Sequence, residues 1–248
     1  MDIAGARILV IGGAHRLGRT LSLDLATHGA EVCVSTRVLG PQAEAQPAAL
    51  RAAGAPAAAA VAGDVRRPAA AALLVRQGAA ALGGLDGLVY AASGPFVPTP
   101  PHELDEAAWD SAFDTVAKGF FFAACAAHGQ FVAGGSGGVI VAITDCLGLQ
   151  PWANFAAHGA AKAAEIHLVK ELAKAWDTDG VRVCGVAPGP VDLVDDEHRA
   201  ATLRAAARTG MERLVAPADV GAAVRFCLAT DGVTGANVVV DNGSLLKF

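Results

Sequence analysis

The chain has 248 residues, which suits one large α/β domain, and 53% of them are hydrophobic. Its formal net charge of -5 argues against a nucleic-acid partner, because such proteins present a basic surface. No apolar run reaches the ~18 residues that span a bilayer, and the first residues, with Asp2, lack the basic segment of a secretory signal. We therefore expect no nucleic-acid partner and no membrane association.

Five cysteines are scattered along the chain without a C-x-x-C pair. An odd and scattered set favours reduced, mostly buried thiols over a disulfide framework. This pattern indicates a cytoplasmic protein, and we predict no metal site. The five residues are Cys33, Cys125, Cys146, Cys184 and Cys227.

The first predicted elements are a strand, a glycine-rich turn and a helix. Residues 8–11 are branched and apolar, which is typical of a buried parallel strand. The turn GGAHRLG follows, and Leu17, Leu21 and Leu25 share one face of the next helix. Such a unit binds dinucleotides, because glycines admit a pyrophosphate and the helix N-terminus points amide groups at it. The alternative is a tight turn that binds nothing.

Strand-like and helical segments alternate along the rest of the chain. Further strands are predicted at 31–36, 57–62, 85–91, 138–143, 181–186 and 237–240. Helices are predicted at 41–53, 68–82, 104–129, 154–176, 195–208 and 217–229, with a proline-rich loop at 95–101. Repeated βα units predict one Rossmann-type domain over 1–248, with a doubly wound parallel sheet of about seven strands and helices on both faces. Ligands then bind at the carboxyl ends of the strands.

The end of the second predicted strand bears on the choice of cofactor. A carboxylate about 20 residues past the glycines would bind the ribose 2′-hydroxyl of NAD, but the sequence there is Ser35-Thr36-Arg37. Arg37, with Arg16 of the glycine-rich turn, suits a 2′-phosphate and favours NADP, unless Arg37 is an ordinary solvated side chain. Asp64, after the third strand, is placed to accept from the adenine amino group or to cap the next helix.

A series of motifs resembles the short-chain dehydrogenase/reductase family over nearly the whole chain. They are GGAHRLGR at 12–19, GDV at 63–65, YAASGPFVPTP at 90–100, VAITDCLG at 141–148, APGPVDLVDD at 187–196 and VTGANVVVDNG at 233–243. The glycine loop, and Asp145 where most of the family has serine, are most similar to the pteridine reductase branch. The resemblance implies an NADPH-dependent oxidoreductase that reduces a small carbonyl or C=N (pterin-like) substrate. It also implies a homodimer or homotetramer.

The resemblance also implies a role for individual residues. Lys162 would hold the nicotinamide ribose, and Asp145 would orient the substrate or relay a proton. Ser93 and Phe96 would line the substrate position, with a flat ring stacked on Phe96; the alternative is that Phe96 covers apolar surface in its loop. The implied cofactor contacts are Gly12, His15, Arg16, Leu17, Gly18, Arg37, Asp64, Val65, Ala92, Lys162, Pro188 and Gly189.

The residues that carry the chemistry depart from the family pattern. The family's proton donor is a tyrosine four residues before the lysine, but this position is His158, and the sequence has one tyrosine, Tyr90. Val116 replaces the asparagine of the family's water relay. His158 and Lys162 share a helix face, so we predict Asp145, His158 and Lys162 as catalytic residues, with histidine as the general acid. The alternative is a catalytically silent NADP-binding homologue with a binding or regulatory role.

Overall fold

The computed structural model describes residues 1–94, 96–193 and 210–246. Its centre is a parallel sheet with the strand order β3-β2-β1-β4-β5-β6-β7. The strands are β1 (Arg7–Ile11), β2 (Glu31–Thr36), β3 (Ala58–Ala62), β4 (Gly87–Tyr90), β5 (Gly138–Ile143), β6 (Val181–Pro188) and β7 (Asn237–Val240).

Helices cover both faces of this sheet. They are α1 (Arg16–Thr27), α2 (Pro41–Glu44), α3 (Gln46–Ala53), α4 (Pro68–Leu82), α5 (Glu106–Phe113), α6 (Gly119–Gly134), α7 (Ala156–Ala175) and α8 (Pro217–Ala229). Short 3-10 turns occur at Pro101–Glu103, Cys146–Gly148, Asp177–Asp179 and Ser244–Leu246. No helix within the described ranges has both the length and the apolar character needed to cross a membrane.

The strands bury side chains on both faces, because successive side chains point in opposite directions. Ile8 and Val10 of β1 pack in one core with residues of α1, α3 and α8. Leu9 and Ile11 pack in a second core with residues of α4, α6 and α7. This double burial explains the continuous apolar runs in the sequence. The predicted α/β fold, with one doubly wound sheet, is confirmed.

The order of the strands places a ligand crevice between β1 and β4. From β1 the chain moves to β2 and β3 on one side, then returns to β4 on the other side. In doubly wound sheets the loops after two such strands diverge and leave a crevice at their carboxyl ends. The glycine-rich turn after β1 lies at this point.

Several predicted boundaries are matched, and others shift for identifiable reasons. Strands β2, β5 and β7 and helices α4 and α8 have the predicted ends. Strand β6 continues to Pro188, because this residue still pairs with Val240 of β7. The helix predicted over 41–53 is divided into α2 and α3 at Ala45. The helix predicted over 195–208 lies outside the described residues.

The helix predicted over 104–129 differs most. It begins at Glu106, ends at Gly134 and contains a π-turn at Asp114–Lys118 between α5 and α6. Tyr90 is fully buried on β4, and its hydroxyl donates a hydrogen bond to the Thr115 carbonyl oxygen in this turn, at 2.5 Å. A π-turn interrupts the regular backbone hydrogen bonding of an α-helix, so a carbonyl oxygen there can accept a hydrogen bond from another donor. Tyr90 therefore supports this helix from the core.

Candidate cofactor and catalytic site

The turn between β1 and α1 depends on two glycines for its shape. Gly12 has a φ of +78°, and a Cβ there would lie 3.0 Å from the Ala91 backbone, just after β4. A Cβ at Gly18 would collide with the Gly12 carbonyl oxygen. Only glycine fits such a conformation and such a close approach without strain. The turn and the first turn of α1 therefore pack backbone against backbone.

The start of α1 fits the pyrophosphate of a dinucleotide. His15 is its N-cap residue, but the His15 side chain makes no capping hydrogen bond. Amide groups in the first turn of such a helix lack intrahelical partners and attract an anion. The glycines of the preceding turn let its backbone pack closely against Ala91 and against α1. These residues would hold the pyrophosphate, as the sequence predicts.

The His15 side chain instead connects the turn to the end of β2. Its Nδ1 lies 2.9 Å from the Gln42 Oε1, and its Nε2 lies 3.3 Å from the Thr36 hydroxyl. Arg37, the next residue, is exposed. This corner thus presents a hydroxyl, an imidazole and a guanidinium where an NAD-binding chain would present a carboxylate. Such donors suit a phosphate group.

Asp64 has a partner that sequence reasoning missed. The Arg66 guanidinium binds its carboxylate through Nε at 2.9 Å and Nη2 at 2.6 Å, and the Arg66 amide donates to it at 3.1 Å. The side-chain hydrogen bonds from Arg66 hold the pKa of Asp64 below its usual value, and the charge of Arg37 adds to this shift. Arg67, not Asp64, is the N-cap of α4, so the capping alternative is wrong. An adenine contact by Asp64 stays a prediction.

The remaining predicted cofactor residues lie along the same edge of the sheet. Leu17 is half-buried at the start of α1, and Val65 is buried shortly after β3. Ala92 follows β4, while Pro188 ends β6 and is followed by Gly189. Parallel strands end at one edge, so the fold brings together residues that are far apart in the sequence. Their contact with a cofactor stays a prediction.

Asp145 and His158 meet at the carboxyl end of β5. The Asp145 Oδ1 accepts a hydrogen bond from the Leu147 amide at 2.8 Å, which fixes the carboxylate. Its Oδ2 lies 3.2 Å from the His158 Nε2. The His158 side chain is 8% exposed, and its Nδ1 is buried without a partner among the described residues. The carboxylate orients the ring through Nε2 and leaves Nδ1 as the ring nitrogen without a hydrogen bond among the described residues.

Phe96 lies against this pair, and its contact with a substrate stays a prediction. Its ring contacts the His158 ring edge to face, with centroids 5.0 Å apart, and is 42% exposed. It also stacks on Phe155, the residue before α7, with centroids 4.4 Å apart. One stacking partner of Phe96 is therefore already supplied by the protein. Ser93, in the same loop, is exposed.

Lys162 is buried one turn after His158 and binds a residue that sequence reasoning missed. Its ammonium donates to the Ile143 carbonyl oxygen at 2.6 Å and to the Glu165 Oε2 at 2.8 Å. Glu165 is fully buried, and burial raises the pKa of its carboxyl to about 7, although Lys162 opposes this rise. The sequence contained one indication of this pair, because an acidic residue three positions after a lysine lies on the same face of a helix.

The cysteines lie mostly in the interior of the protein. All five cysteines are free thiols, four of them buried and Cys125 partly buried, as predicted. Burial, with a smaller contribution from the charge of Asp145, raises the pKa of Cys146, so this thiol stays protonated. In the part of the chain that the structure describes, no three His, Cys, Asp or Glu side chains are grouped to hold a metal ion.

The family of this chain follows from its similarity to known proteins. A sequence model described as short chain dehydrogenase matches residues 6–202. This chain belongs to the short-chain dehydrogenase/reductase family. The family predicted from the motifs is confirmed.

Three relatives illustrate the range of similar proteins. The chain is 35% identical over 241 residues to the cis-4-hydroxycyclohexanecarboxylate dehydrogenase of Sinomonas cyclohexanicum, covering 95% of this chain and 94% of that protein. It is 31% identical over 255 residues to 3beta-hydroxysteroid dehydrogenase 1 of Eggerthella lenta, covering 99% and 95%. A short chain dehydrogenase from Burkholderia cenocepacia J2315, solved in complex with NADP, has a TM-score of 0.88 and 29% identity, covering 99% of this chain and 100% of that chain.

Proposed function

We propose that this chain is an NADP(H)-dependent oxidoreductase that interconverts a small carbonyl or C=N compound and its reduced form. One observation carries the proposal: His158 is fixed by Asp145 through Nε2, and its Nδ1 is buried without a partner among the described residues. When bound, the nicotinamide supplies or takes the hydride. The residues of the chain then have to move one proton to or from the substrate.

His158 performs this proton transfer in either direction. In reduction, an imidazolium donates its Nδ1 proton to the substrate oxygen or nitrogen as that atom gains electron density. In oxidation, neutral Nδ1 accepts the proton of the substrate hydroxyl. Asp145 balances the imidazolium charge in both cases, because its carboxylate lies 3.2 Å from Nε2. Histidine takes the place of the family's tyrosine here, and the silent-homologue alternative remains an outcome of the experiment below.

For the substrate, we propose a compound with the reacting group on a ring. Two of the relatives above are named for ring alcohols, a hydroxycyclohexanecarboxylate and a hydroxysteroid. The pterin-like substrate rests on the sequence resemblance and on Phe96. Because Phe155 already stacks on Phe96, a flat pterin would have to use the opposite face of that ring or displace Phe155.

For the cofactor, we propose a preference for NADP(H) over NAD(H). Support comes from the corner formed by His15, Thr36 and Arg37, which holds no carboxylate for a ribose 2′-hydroxyl. The NADP complex of the Burkholderia relative is in keeping with this choice. In this proposal, Arg37 and Arg16 contact the 2′-phosphate of the cofactor.

We also propose a cytoplasmic homodimer or homotetramer. The free, mostly buried thiols suit a reducing compartment. Phe122 and Val132 of α6 are 37% and 51% exposed, which provides apolar surface for a symmetric contact. Light scattering at micromolar concentration should give a dimer or tetramer mass, whereas a monomer would contradict this part of the proposal.

The experiment that tests the function compares His158→Ala with His167→Ala. His167 is an exposed histidine on the same helix, so its removal controls for the substitution itself. NADPH oxidation is measured with cyclic ketones and dihydropterins, NADP reduction with cyclic alcohols, and NADPH affinity by calorimetry. We expect His158→Ala to lower turnover by about 100-fold or more, the usual contribution of a general acid or base, with affinity unchanged.

The outcomes separate the alternatives. If His158→Ala and the wild type turn over equally, His158 is not the proton donor. If NADPH binds but no protein reacts with any compound, the chain is a cofactor-binding homologue. If no nicotinamide cofactor binds, the proposed function as a whole is wrong.

A further inference from the structure

The proposed function assigns no role to one buried acidic residue, Glu165. Glu165 lies on α7, one turn after Lys162, and none of its surface is exposed. Its Oε2 accepts a hydrogen bond from the Lys162 ammonium at 2.8 Å. Its Oε1 is buried and has no partner among the described residues. A buried carboxyl with one unsatisfied oxygen is costly to keep, so its position beside Lys162 needs an explanation.

We infer that Glu165 is a positioning residue, which holds the Lys162 ammonium inside the protein and thereby sets how tightly the nicotinamide half of the cofactor binds. The inference rests on the proposed function, since it takes Lys162 as the residue that reaches the nicotinamide ribose. The ammonium has three protons to donate. Two of them are used by Glu165 and by the Ile143 carbonyl oxygen. The Lys162 side chain is only 3% exposed, so its ammonium has to move away from Glu165 to reach a ribose hydroxyl.

The cost of this exchange depends on the charge of Glu165. While its carboxylate is ionised, moving the ammonium away separates opposite charges in a buried place, where their attraction is strong. Once Glu165 is protonated, moving the ammonium away breaks a hydrogen bond to an uncharged carboxyl and separates no opposite charges. The affinity of the site for its cofactor is thus linked to protonation of Glu165, with tighter binding on the acid side.

The surroundings of Glu165 place this change near neutral pH. Burial and, to a smaller extent, the charge of Asp145 after β5 raise its pKa, Lys162 on the same helix lowers it, and the net pKa is about 7. Tyr90 of β4 also faces the pair, and its pKa is raised well above the usual value mainly by burial and also by the charge of Glu165, so it stays neutral. His158 lies against the Asp145 carboxylate, with Nε2 3.2 Å from Oδ2.

The test measures NADPH affinity by calorimetry from about pH 6 to about pH 8 for the wild type, Glu165→Gln and Glu171→Gln. Glu171 is exposed on the same helix and serves as the matched control. At about pH 8 we expect Glu165→Gln to bind NADPH about five- to tenfold more tightly than the wild type, and at about pH 6 equally. Glu171→Gln should follow the wild type. Ionisation of the NADPH 2′-phosphate affects all three proteins alike, so it cancels in the ratio of affinities.

A second measurement covers the case in which Glu165→Gln does not fold. When Lys162 leaves Glu165, the carboxyl loses its stabilising cation and takes up a proton. Calorimetry of the wild type at pH 7 in buffers of different ionisation enthalpy should therefore show proton uptake on NADPH binding, and Lys162→Met should abolish this uptake. An affinity ratio that is constant with pH, or uptake unchanged in Lys162→Met, would overturn the inference. Absence of NADPH binding in every protein would instead overturn the proposed function.

Discussion

The loop after β1 and the region where β5 meets α7 lie on the same edge of the sheet but are built in different ways. The first is made of backbone: Gly12 and Gly18 pack so closely that a side chain at Gly18 would collide with the Gly12 carbonyl. The second is made of side chains, with the pairs Asp145–His158 and Lys162–Glu165 both inside the protein. The comparison teaches that the turn after β1 depends on close backbone packing, whereas the region between β5 and α7 depends on the pairing of partly or fully buried charged groups.

The largest effect is expected in the backbone-built region. Gly18→Ala places a methyl group against the Gly12 carbonyl oxygen, so the turn has to shift. We expect an NADPH affinity about 100-fold lower and a free energy of unfolding about 1–3 kcal/mol lower, as for other overpacked sites. Gly129→Ala, on the exposed face of α6 with open space around it, is the control. It should stabilise the helix by about 0.5–1 kcal/mol and leave NADPH binding intact.

The next effect concerns turnover in the side-chain-built region. Asp145→Asn keeps the shape of the side chain but removes the charge that balances an imidazolium at His158. We expect kcat to fall about 100-fold or more without loss of NADPH affinity. The chain offers a matched control, Asp179→Asn, because Asp179 lies 2.8 Å from the Nε2 of His128 just before the amino-terminal end of β6, at the opposite end of that strand from the candidate site. Equal turnover of the wild type and Asp145→Asn would show that the carboxylate takes no part in proton transfer.

The buried pair is then tested through stability. Glu165→Leu leaves the Lys162 ammonium buried without its counter-ion, so we expect a free energy of unfolding about 3–5 kcal/mol lower. The double variant Lys162→Met/Glu165→Leu removes both charges and should recover most of this loss, because apolar pairs replace buried ion pairs well. Urea titrations measure both. If the double variant is no more stable than Glu165→Leu, charge burial is not the cause.

The same pair predicts the sign of a pH dependence. Glu165 has a pKa of about 7 in the folded protein, against an ordinary glutamate pKa of 4.5. Between these values the folded state binds a proton that the unfolded state has released, so this residue makes stability fall as pH rises. The wild type should therefore lose stability relative to the Lys162→Met/Glu165→Leu variant between about pH 4.5 and about pH 7. A stability difference that is independent of pH in this window would contradict the assignment.

The smallest expected effect concerns the preference for NADPH over NADH. Arg37→Ala should weaken NADPH binding about tenfold, or about 1.4 kcal/mol, and leave NADH binding unchanged. Its control is Arg76→Ala, an exposed arginine on α4 away from the strand ends. Calorimetry with both cofactors gives the comparison directly. Equal affinity of the wild type for NADPH and NADH would show that Arg37 does not select the 2′-phosphate.

The sequence by itself was sufficient for the features that depend on neighbouring residues. The apolar run of β1, the glycines that follow it and the Leu17, Leu21 and Leu25 stripe of α1 predict a strand, a turn and a helix through local geometry. Repetition of such units predicted the sheet and its two layers of helices, because parallel strands need crossover helices. The i, i+4 spacing also placed His158 and Lys162 on one helix face.

Only the tertiary structure decided which charged groups are partners. The carboxylate that binds His158 lies 13 residues earlier, and the ammonium of Lys162 binds Glu165 and the Ile143 carbonyl oxygen. It also showed that Tyr90 supports a π-turn from the core and that Arg66 engages Asp64. The physical reason is that burial sets the cost of a charge. Burial depends on how β4, β5 and α7 pack together, which no local pattern contains.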